Sequence, residues 1–138
     1  MSGLRPALGT ALVAAFALVL AACVLVAPPR EVDARQTNSS VDLGVGQELI
    51  VRLDANPSTG YRWVVENGAT NILTQPEELN YAPRSVSAPM VGSGGVTTGR
   101  FWASAPGKGT LELAYRRPWE SGVPPAQKFR IDVVVVGK

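Results

Sequence analysis

Between residues 41 and 136 the apolar side chains come in short runs with a period of two, separated by Gly, Pro, Ser and Asn. The clearest runs are QELIVRLDA at 47–55 and TLELAYRR at 110–117, whereas QKFRIDVVVV at 127–136 becomes continuously apolar, as a central strand does. A period of two places successive side chains on opposite faces of a β-strand. No stretch of this region has the apolar stripe of a helix. The pattern therefore predicts an all-β sandwich of about seven strands.

The direction of consecutive strands predicts which loops lie together. The runs predicted as strands are 47–54, 61–66, 72–82, 97–105, 110–116 and 127–136. Because consecutive antiparallel strands reverse direction, the connections after the first, third and fifth runs emerge at one end, where such loops form a binding surface. The sequences of these connections are DANPSTG, PRSVSAPMVGSGG and RPWESGVPPA.

The first 22 residues predict a signal peptide that is not part of the fold. Arg5 is the only charge before the apolar run ALGTALVAAFALVLAA. The last three residues of this run and the next residue form the tetrapeptide Leu20-Ala21-Ala22-Cys23. This tetrapeptide resembles a bacterial lipobox, which implies a diacylglyceryl group on Cys23 and cleavage before it. The implied location is the cell envelope, outside the cytoplasmic membrane, either periplasmic or at the cell surface. A plain secretory signal or an uncleaved anchor over residues 7–26 is the alternative, since a span needs about 20 residues.

The sequence divides into three regions. Residues 1–22 are the predicted signal, and residues 23–40 are the predicted lipidated cysteine and flexible tether, because PPREVDARQTNSS is polar and lacks periodicity. Residues 41–138 form the predicted folded domain. Cys23 is the only cysteine, so no intramolecular disulfide can form. Lipidation would explain why a protein outside the cytoplasm has a single cysteine.

The composition argues against an enzyme. The chain has no histidine, which removes the usual general base and the commonest metal ligand. Glu77 and Glu78 are strand neighbours whose side chains point to opposite faces, and one cysteine cannot form a zinc cluster. We therefore predict no catalytic residue, metal or cofactor. The 13 basic and 11 acidic residues are scattered, so no basic face for nucleic acid is predicted either.

The loop DANPSTG has the composition of a stiff, uncharged tip. Pro57 fixes its own φ and pushes Asn56 toward an extended conformation, while Gly60 allows a positive φ before the next strand. Ser58 and Thr59 place short hydroxyl side chains at the tip. Such a protrusion enters a cleft with little loss of entropy. A stiff turn that only closes a hairpin is the alternative.

The other two loops contain a glycine cluster and a tryptophan. The glycines of GSGG at 92–95 either allow another chain to approach the backbone closely or make the loop flexible. Trp119 directly follows an Arg-Pro pair and is a candidate interface anchor, because Trp and Arg are enriched at binding hot spots. Alternatively its ring covers the core, as we expect for Trp63 and Trp102 within their strands.

Taken together, NPSTGY, GSGG and RPW on alternate connections resemble the three loop motifs of the chagasin family of cysteine-peptidase inhibitors. The resemblance extends from about Val41 to Val136, and it differs at Ser58, where threonine is usual. It implies an immunoglobulin-like β-sandwich with three functional loops at one end. The implied protease-binding residues are Asn56, Pro57, Ser58, Thr59, Gly60, Tyr61, Gly92, Ser93, Gly94, Gly95, Arg117, Pro118 and Trp119.

The resemblance also implies a partner and a mechanism. The three loops would wedge into the active-site cleft of a papain-like cysteine peptidase and inhibit it reversibly and competitively, with the protein acting as a monomer. Ser58 and Thr59 would lie closest to the catalytic groups of the enzyme, the GSGG loop along one side of the cleft, and Arg117 and Trp119 along the other. The alternative is an immunoglobulin-like surface lipoprotein that uses this end for adhesion or envelope binding, since a fold does not fix a function.

Overall fold

The computed structural model describes residues 27–84 and 94–137, which form two β-sheets. The strands in these ranges are β1 Arg30–Asp33, β2 Ser39–Gly44, β3 Glu48–Ala55, β4 Arg62–Gly68, β5 Leu73–Thr74, β6 Asn80–Pro83, β7 Gly95–Ala103, β8 Gly107–Arg116 and β9 Gln127–Val136. Short 3-10 turns occupy Ala34–Gln36 and Pro57–Thr59. The predicted all-β sandwich is confirmed. It has more strands than expected because two precede Glu48 and the run at 72–82 divides into β5 and β6.

The two sheets contain both parallel and antiparallel pairs. The five-stranded sheet has the order β1-β3-β7-β5, with β6 also paired to β7, and the four-stranded sheet has the order β2-β9-β8-β4. The β1–β3 and β2–β9 pairs are parallel, and the remaining pairs are antiparallel. The strand β9 lies between β2 and β8, in agreement with the central position that its apolar sequence predicts.

The core consists of the alternate side chains that the period-two pattern selects. Phe101, Leu111 and Ile131 have no solvent exposure, and each lies in the hydrophobic cluster between the sheets. Full burial of a side chain of this size contributes roughly 1.5–3 kcal/mol before the cost of ordering it. The alternation in β3, β7, β8 and β9 therefore accounts for most of the core.

Trp63 and Trp102 differ in their burial. Trp63 is 5% exposed, and its indole N–H donates to the Asp54 carbonyl oxygen at 2.9 Å. Trp102 is 38% exposed, so the expectation that it covers the core is wrong. Its neighbours Phe101 and Ala103 are both buried, and the period of two in β7 directs Trp102 to the outer face.

The segment before Val41 is a part of the sandwich wherever the structure describes it, so the prediction of a flexible tether is wrong there. The strand β1 runs beside β3, and β2 begins at Ser39 opposite Ile131. Val32 is 5% exposed and lies in the core. A four-residue edge strand with one inward apolar side chain is too short to show periodicity, which is why the sequence did not reveal it.

The turn between β1 and β2 is fixed by local hydrogen bonds. The Asp33 side chain accepts a hydrogen bond from the Arg35 backbone N–H at 2.8 Å, and Gln36 Oε1 accepts one from the Asp33 N–H at 2.7 Å. Hydrogen bonds from the Arg35 side chain, then from its backbone, lower the pKa of Asp33 to about 2. These contacts form a capping box, which satisfies backbone donors as the chain passes from one sheet to the other.

The predicted signal peptide at 1–22 and the predicted lipidation site at Cys23 lie outside the described residues. Within residues 27–84 and 94–137, no helix combines the length and the hydropathy that a membrane span requires.

Replacing Val32 with alanine is expected to lower the free energy of unfolding by about 2 kcal/mol, because it removes two buried methyl groups and leaves a cavity. Urea unfolding of the variant and the parent measures this change. Glu31→Ala is the matched control, since it removes only an exposed ion pair with Arg52 at 2.7 Å and is expected to have an effect below about 1 kcal/mol. Equal effects of the two substitutions would show that β1 is not packed on the core.

Candidate functional site

The β3–β4, β6–β7 and β8–β9 connections lie at the same end of the sandwich. Ala55 at the end of β3 and Pro83 at the end of β6 both lie opposite Gly95, which begins β7. In the other sheet, Arg62 at the start of β4 lies opposite Arg116 at the end of β8. The convergence that strand direction predicts is therefore present. We call this end the loop rim, and its described residues are 56–61, Arg84, Gly94 and 117–126.

Tyr115 connects the two sheets directly beneath the loop rim. Its hydroxyl oxygen, on β8, accepts a hydrogen bond from the backbone N–H of Asn56, which follows β3, at 2.8 Å. Its ring centroid lies 5.4 Å from that of Tyr61 and 5.1 Å from that of Trp63. Tyr115 was not among the predicted site residues. Its inward position in TLELAYRR marked it as a core residue, but no sequence signal pointed to its contact with the loop.

The NPSTGY loop is a 3-10 turn that is stabilised by its own side chains. Asn56 is extended, with φ −138°, and its side-chain oxygen accepts a hydrogen bond from the Ser58 hydroxyl at 2.6 Å. The Thr59 hydroxyl donates to the Asn56 carbonyl oxygen at 2.8 Å. Pro57 occupies the start of the turn, and Gly60 ends it with φ +84°. The stiff, uncharged tip that the sequence predicts is thus the observed conformation.

The RPW segment packs against the NPSTGY loop. Arg117 Nε donates to the Thr59 carbonyl oxygen at 3.1 Å, and the guanidinium carbon of Arg117 lies 4.5 Å from the centroid of the Tyr61 ring. Trp119 is 68% exposed, and a Cβ atom at Gly60 would lie 2.3 Å from its Cη2 atom. The ring therefore lies on the loop rim beside Gly60, and the alternative in which it covers the core is excluded.

The described part of the GSGG motif lies against the start of the NPSTGY loop. Residues 92–93, the predicted site residues Gly92 and Ser93, lie outside the described residues. Gly94 has φ +76°, and a Cβ atom there would lie 3.0 Å from the Ala55 carbonyl oxygen. At Gly95 a Cβ atom would lie 2.2 Å from a backbone oxygen of β6. Both glycines are therefore required for the close approach of β7 to its neighbouring strands.

An ion pair that the sequence did not reveal connects the bases of two rim loops. Arg84 Nη2 lies 2.7 Å from Asp54 Oδ1, and the Arg84 backbone N–H donates to the Gly94 carbonyl oxygen at 3.1 Å. Both side chains are exposed, so the pair adds little stability. It links the end of β3 to the residue that follows β6. A cleft of about 390 Å³ opens beside it, lined by Asp54, Ala55, Asn56, Thr59, Arg84, Gly94, Gly95, Tyr115 and Gln127.

The loop rim presents hydroxyl groups, glycine backbone and an exposed indole at one end of the sandwich. Among the described residues, no group of three or more His, Cys, Asp or Glu side chains is placed to hold a metal ion. A rigid edge with an aromatic anchor is suited to contact with a cleft in another protein. The fold and the loop rim thus define a β-sandwich protein with three loop connections at one end, an arrangement suited to binding another protein.

The family model described as chagasin family peptidase inhibitor I42 matches residues 42–133 of this chain. The match covers most of the sandwich, from β2 into β9. The chain belongs to the chagasin family, whose members are inhibitors of peptidases and not enzymes.

Individual relatives agree with this assignment. Amoebiasin-2 of Entamoeba histolytica is 25% identical over 101 residues, which are 73% of this chain and 80% of the relative. Chagasin of Trypanosoma cruzi is 25% identical over 97 residues, 67% of this chain and 86% of the relative. The crystal structure of the cysteine protease inhibitor EhICP2 from Entamoeba histolytica has a TM-score of 0.70 at 23% identity, covering 79% of this chain and 96% of that chain. The last similarity shows the shared fold.

Gly60→Ala is expected to displace the Trp119 indole, because the new Cβ atom would overlap its ring. The indole N–H resonance in a two-dimensional NMR spectrum measures the displacement. Gly122→Ala is the matched control, since Gly122 also has a positive φ, +73°, but a Cβ atom there would have no neighbour within 4 Å. Both variants are expected to lose about 1–2 kcal/mol of stability through left-handed strain. An unmoved Trp119 resonance in Gly60→Ala would contradict the packing described above.

Proposed function

We propose that this protein is a reversible, competitive inhibitor of papain-like cysteine peptidases, acting as a monomer through its loop rim. The observation that carries the proposal is that Thr59, Gly94 and Trp119 converge on one exposed edge through the contacts described above. Membership of the chagasin family supports peptidase inhibition. The resemblance of the three motifs to those of cysteine-peptidase inhibitors supports the cysteine class.

The NPSTGY loop is the part proposed to occupy the centre of the cleft. Its two hydroxyl groups already donate to Asn56, so the tip enters the enzyme with its donors satisfied and its conformation fixed. It has no charged side chain between Asn56 and Tyr61, so no charge has to be desolvated. Preorganisation of this kind increases affinity because little conformational entropy is lost on binding.

The RPW segment is proposed to hold one wall of the cleft. Trp119 has a large exposed apolar surface that binding would remove from water. Arg117 is already held by the Thr59 carbonyl oxygen and the Tyr61 ring, so its side chain loses little further freedom. A Trp beside an Arg is the residue pair expected at a binding hot spot.

The GSGG motif is proposed to hold the opposite wall through its backbone. Gly94 is the part of the motif that the structure describes as partly exposed, and the Arg84–Gly94 hydrogen bond holds the end of the connection in place. The proposed interaction is non-covalent, and the rim motifs contain no cysteine that could form a disulfide with the thiol of the enzyme. Occupation of the cleft excludes substrate, which makes the inhibition competitive.

The proposal is tested by titrating a fragment that begins at Ala27, and so retains β1, into papain with a fluorogenic peptide substrate. The expected result is an increase in the apparent KM with kcat unchanged. A serine peptidase of the subtilisin type is the control and should retain full activity. Absence of papain inhibition at micromolar concentrations of the fragment would exclude the proposed function.

Trp119→Ala is expected to weaken papain inhibition by roughly 30-fold, which corresponds to a hot-spot contribution of about 2 kcal/mol. Its effect on unfolding is expected to remain within about 0.5 kcal/mol, because the ring is largely exposed. Trp102→Ala is the matched control, since it removes an exposed indole from the outer face of the five-stranded sheet and should leave inhibition unchanged. A lower melting temperature with normal inhibition in Trp119→Ala would contradict the anchor role.

Thr59→Glu is expected to weaken inhibition by at least tenfold, because a carboxylate at the tip would be buried without a partner in the cleft. The inhibition constant of the variant measures the effect. Thr59→Ser keeps the hydroxyl that bonds to Asn56 and should retain most of the affinity. If Thr59→Glu inhibits as well as the parent, the NPSTGY loop does not occupy the centre of the cleft.

We also propose that the mature chain is attached to a membrane through a lipid on Cys23 and lies in the cell envelope. The support is the apolar segment that precedes Leu20-Ala21-Ala22-Cys23. Mass spectrometry of the mature N-terminal peptide from a bacterial membrane fraction tests this. The expected mass is that of a peptide beginning at Cys23 with a diacylglyceryl group, and an unmodified cysteine would contradict the proposal.

A further inference from the structure

The end of the sandwich opposite the loop rim has an exposed apolar surface. We propose that this surface rests on the lipid bilayer and directs the loop rim away from it. The inference rests on the proposed attachment through Cys23. We call this end the basal surface, and it comprises Ala27, Pro28, Val45, Pro106, Val136 and Gly137.

The residues of the basal surface form one continuous patch. The Gln47 side chain links two of its parts, since Nε2 donates to the Pro28 carbonyl oxygen at 2.8 Å and Oε1 accepts from the Gly44 N–H at 2.9 Å. The Val45 backbone N–H donates to the Val136 carbonyl oxygen at 3.3 Å. The N-terminal segment, the β2–β3 turn and the end of β9 are therefore held together by hydrogen bonds.

The apolar side chains of this patch are not fully packed into the core. Val45 is 45% exposed and Val136 is 58% exposed, so neither side chain contributes fully to the core. Pro106, also exposed, extends the patch, because a Cβ atom at Gly137 would lie 3.2 Å from its Cγ atom. Side chains of this kind gain free energy when they leave water for the interfacial region of a bilayer.

The path of the chain brings the basal surface close to the proposed lipid. Since β1 runs parallel to β3, and β3 ends at the loop rim, β1 must begin at the opposite end. Only Val24, Leu25 and Val26 separate Cys23 from Ala27. Even a fully extended chain spans no more than about 14 Å over these four steps. The domain therefore cannot move far from the membrane, and its nearest surface is the basal one.

The charges near the basal surface are compatible with phospholipid headgroups. Arg30 and Lys108 are exposed at this end. Glu48 is largely buried and paired with Arg100 at 2.9 Å. Asp42 and Lys108 lie on either side of Val134 in the strand register, so their charges offset each other. The exposed Glu31 is paired with Arg52 at 2.7 Å, so the described residues at this end create no large negative field that would oppose contact with anionic lipid.

The orientation has a consequence for the loop rim. The eight residues of β3 separate the two ends by roughly 26 Å at about 3.3 Å per residue. The rim would then project into the aqueous phase, where a soluble peptidase can reach it. Attachment at the other end would instead have buried the rim against the membrane.

The test uses the full chain, expressed and processed in a bacterium and reconstituted into vesicles of phosphatidylethanolamine and phosphatidylglycerol. A polarity-sensitive dye is placed at Val136→Cys on the basal surface or at Val123→Cys in the β8–β9 connection, two positions that are both exposed. The parent chain without an added cysteine gives the background from Cys23. A nitroxide carried on lipid headgroups is expected to remove most of the emission at position 136 and little at 123.

Equal quenching of the two dyes, or stronger quenching at position 123, would overturn the proposal, as would a chain that does not float with the vesicles. Papain inhibition is measured in parallel on the vesicle-bound and the detergent-released chain. Inhibition only after release from the vesicles would also overturn the orientation. Loss of inhibition in both samples, with the dye at position 136 still quenched, would remove the inhibitor function and leave the basal surface standing.

Discussion

The arrangement of the loop rim depends on the hydrogen bond and ring contacts that Tyr115 makes across the sandwich. Its hydroxyl belongs to the four-stranded sheet and accepts from the backbone of Asn56, at the end of a strand of the other sheet. Its ring packs against those of Tyr61 and Trp63, and the Arg117 guanidinium lies over the Tyr61 ring. A core residue thus fixes the first loop, which in turn supports the third. The first and third loops of the rim are therefore anchored to the core beneath them.

Strand direction and periodicity were sufficient to predict the architecture around this core. Because the apolar positions of 47–55 and 110–117 alternate strictly enough to show which side faces inward, the core positions of β3 and β8 follow from sequence. Reversal of direction at each turn then predicts the three-loop end without any contact information. The same logic predicted the extended Asn56 and the left-handed Gly60, since proline and glycine restrict or permit φ locally.

What the sequence could not provide was information held in contacts between distant residues. Asp54 and Arg84 are 30 positions apart, and nothing in their neighbourhoods marks them as partners. β1 has only four residues, so its single buried side chain, Val32, gives no period. The prediction for Trp102 failed for a different reason. It relied on the general tendency of tryptophan to be buried, but the alternation of β7 directs this side chain outward. The alternation of side chains along β7 therefore predicts the burial of Trp102 better than its residue type does.

The parallel strand β1 determines at which end of the sandwich the described chain begins. Without β1, the chain would enter the sandwich at the start of β2, where Ser39 pairs with Ile131, partway along β9. β1 and the capped turn after Asp33 instead carry the entry point to the end remote from the loops. The short strand adds few contacts to the core, but it fixes the direction from which the chain arrives. The proposed attachment at the N-terminus and the proposed binding at the loops require these two ends to be apart, and β1 places the described N-terminal residues at the end opposite the loop rim.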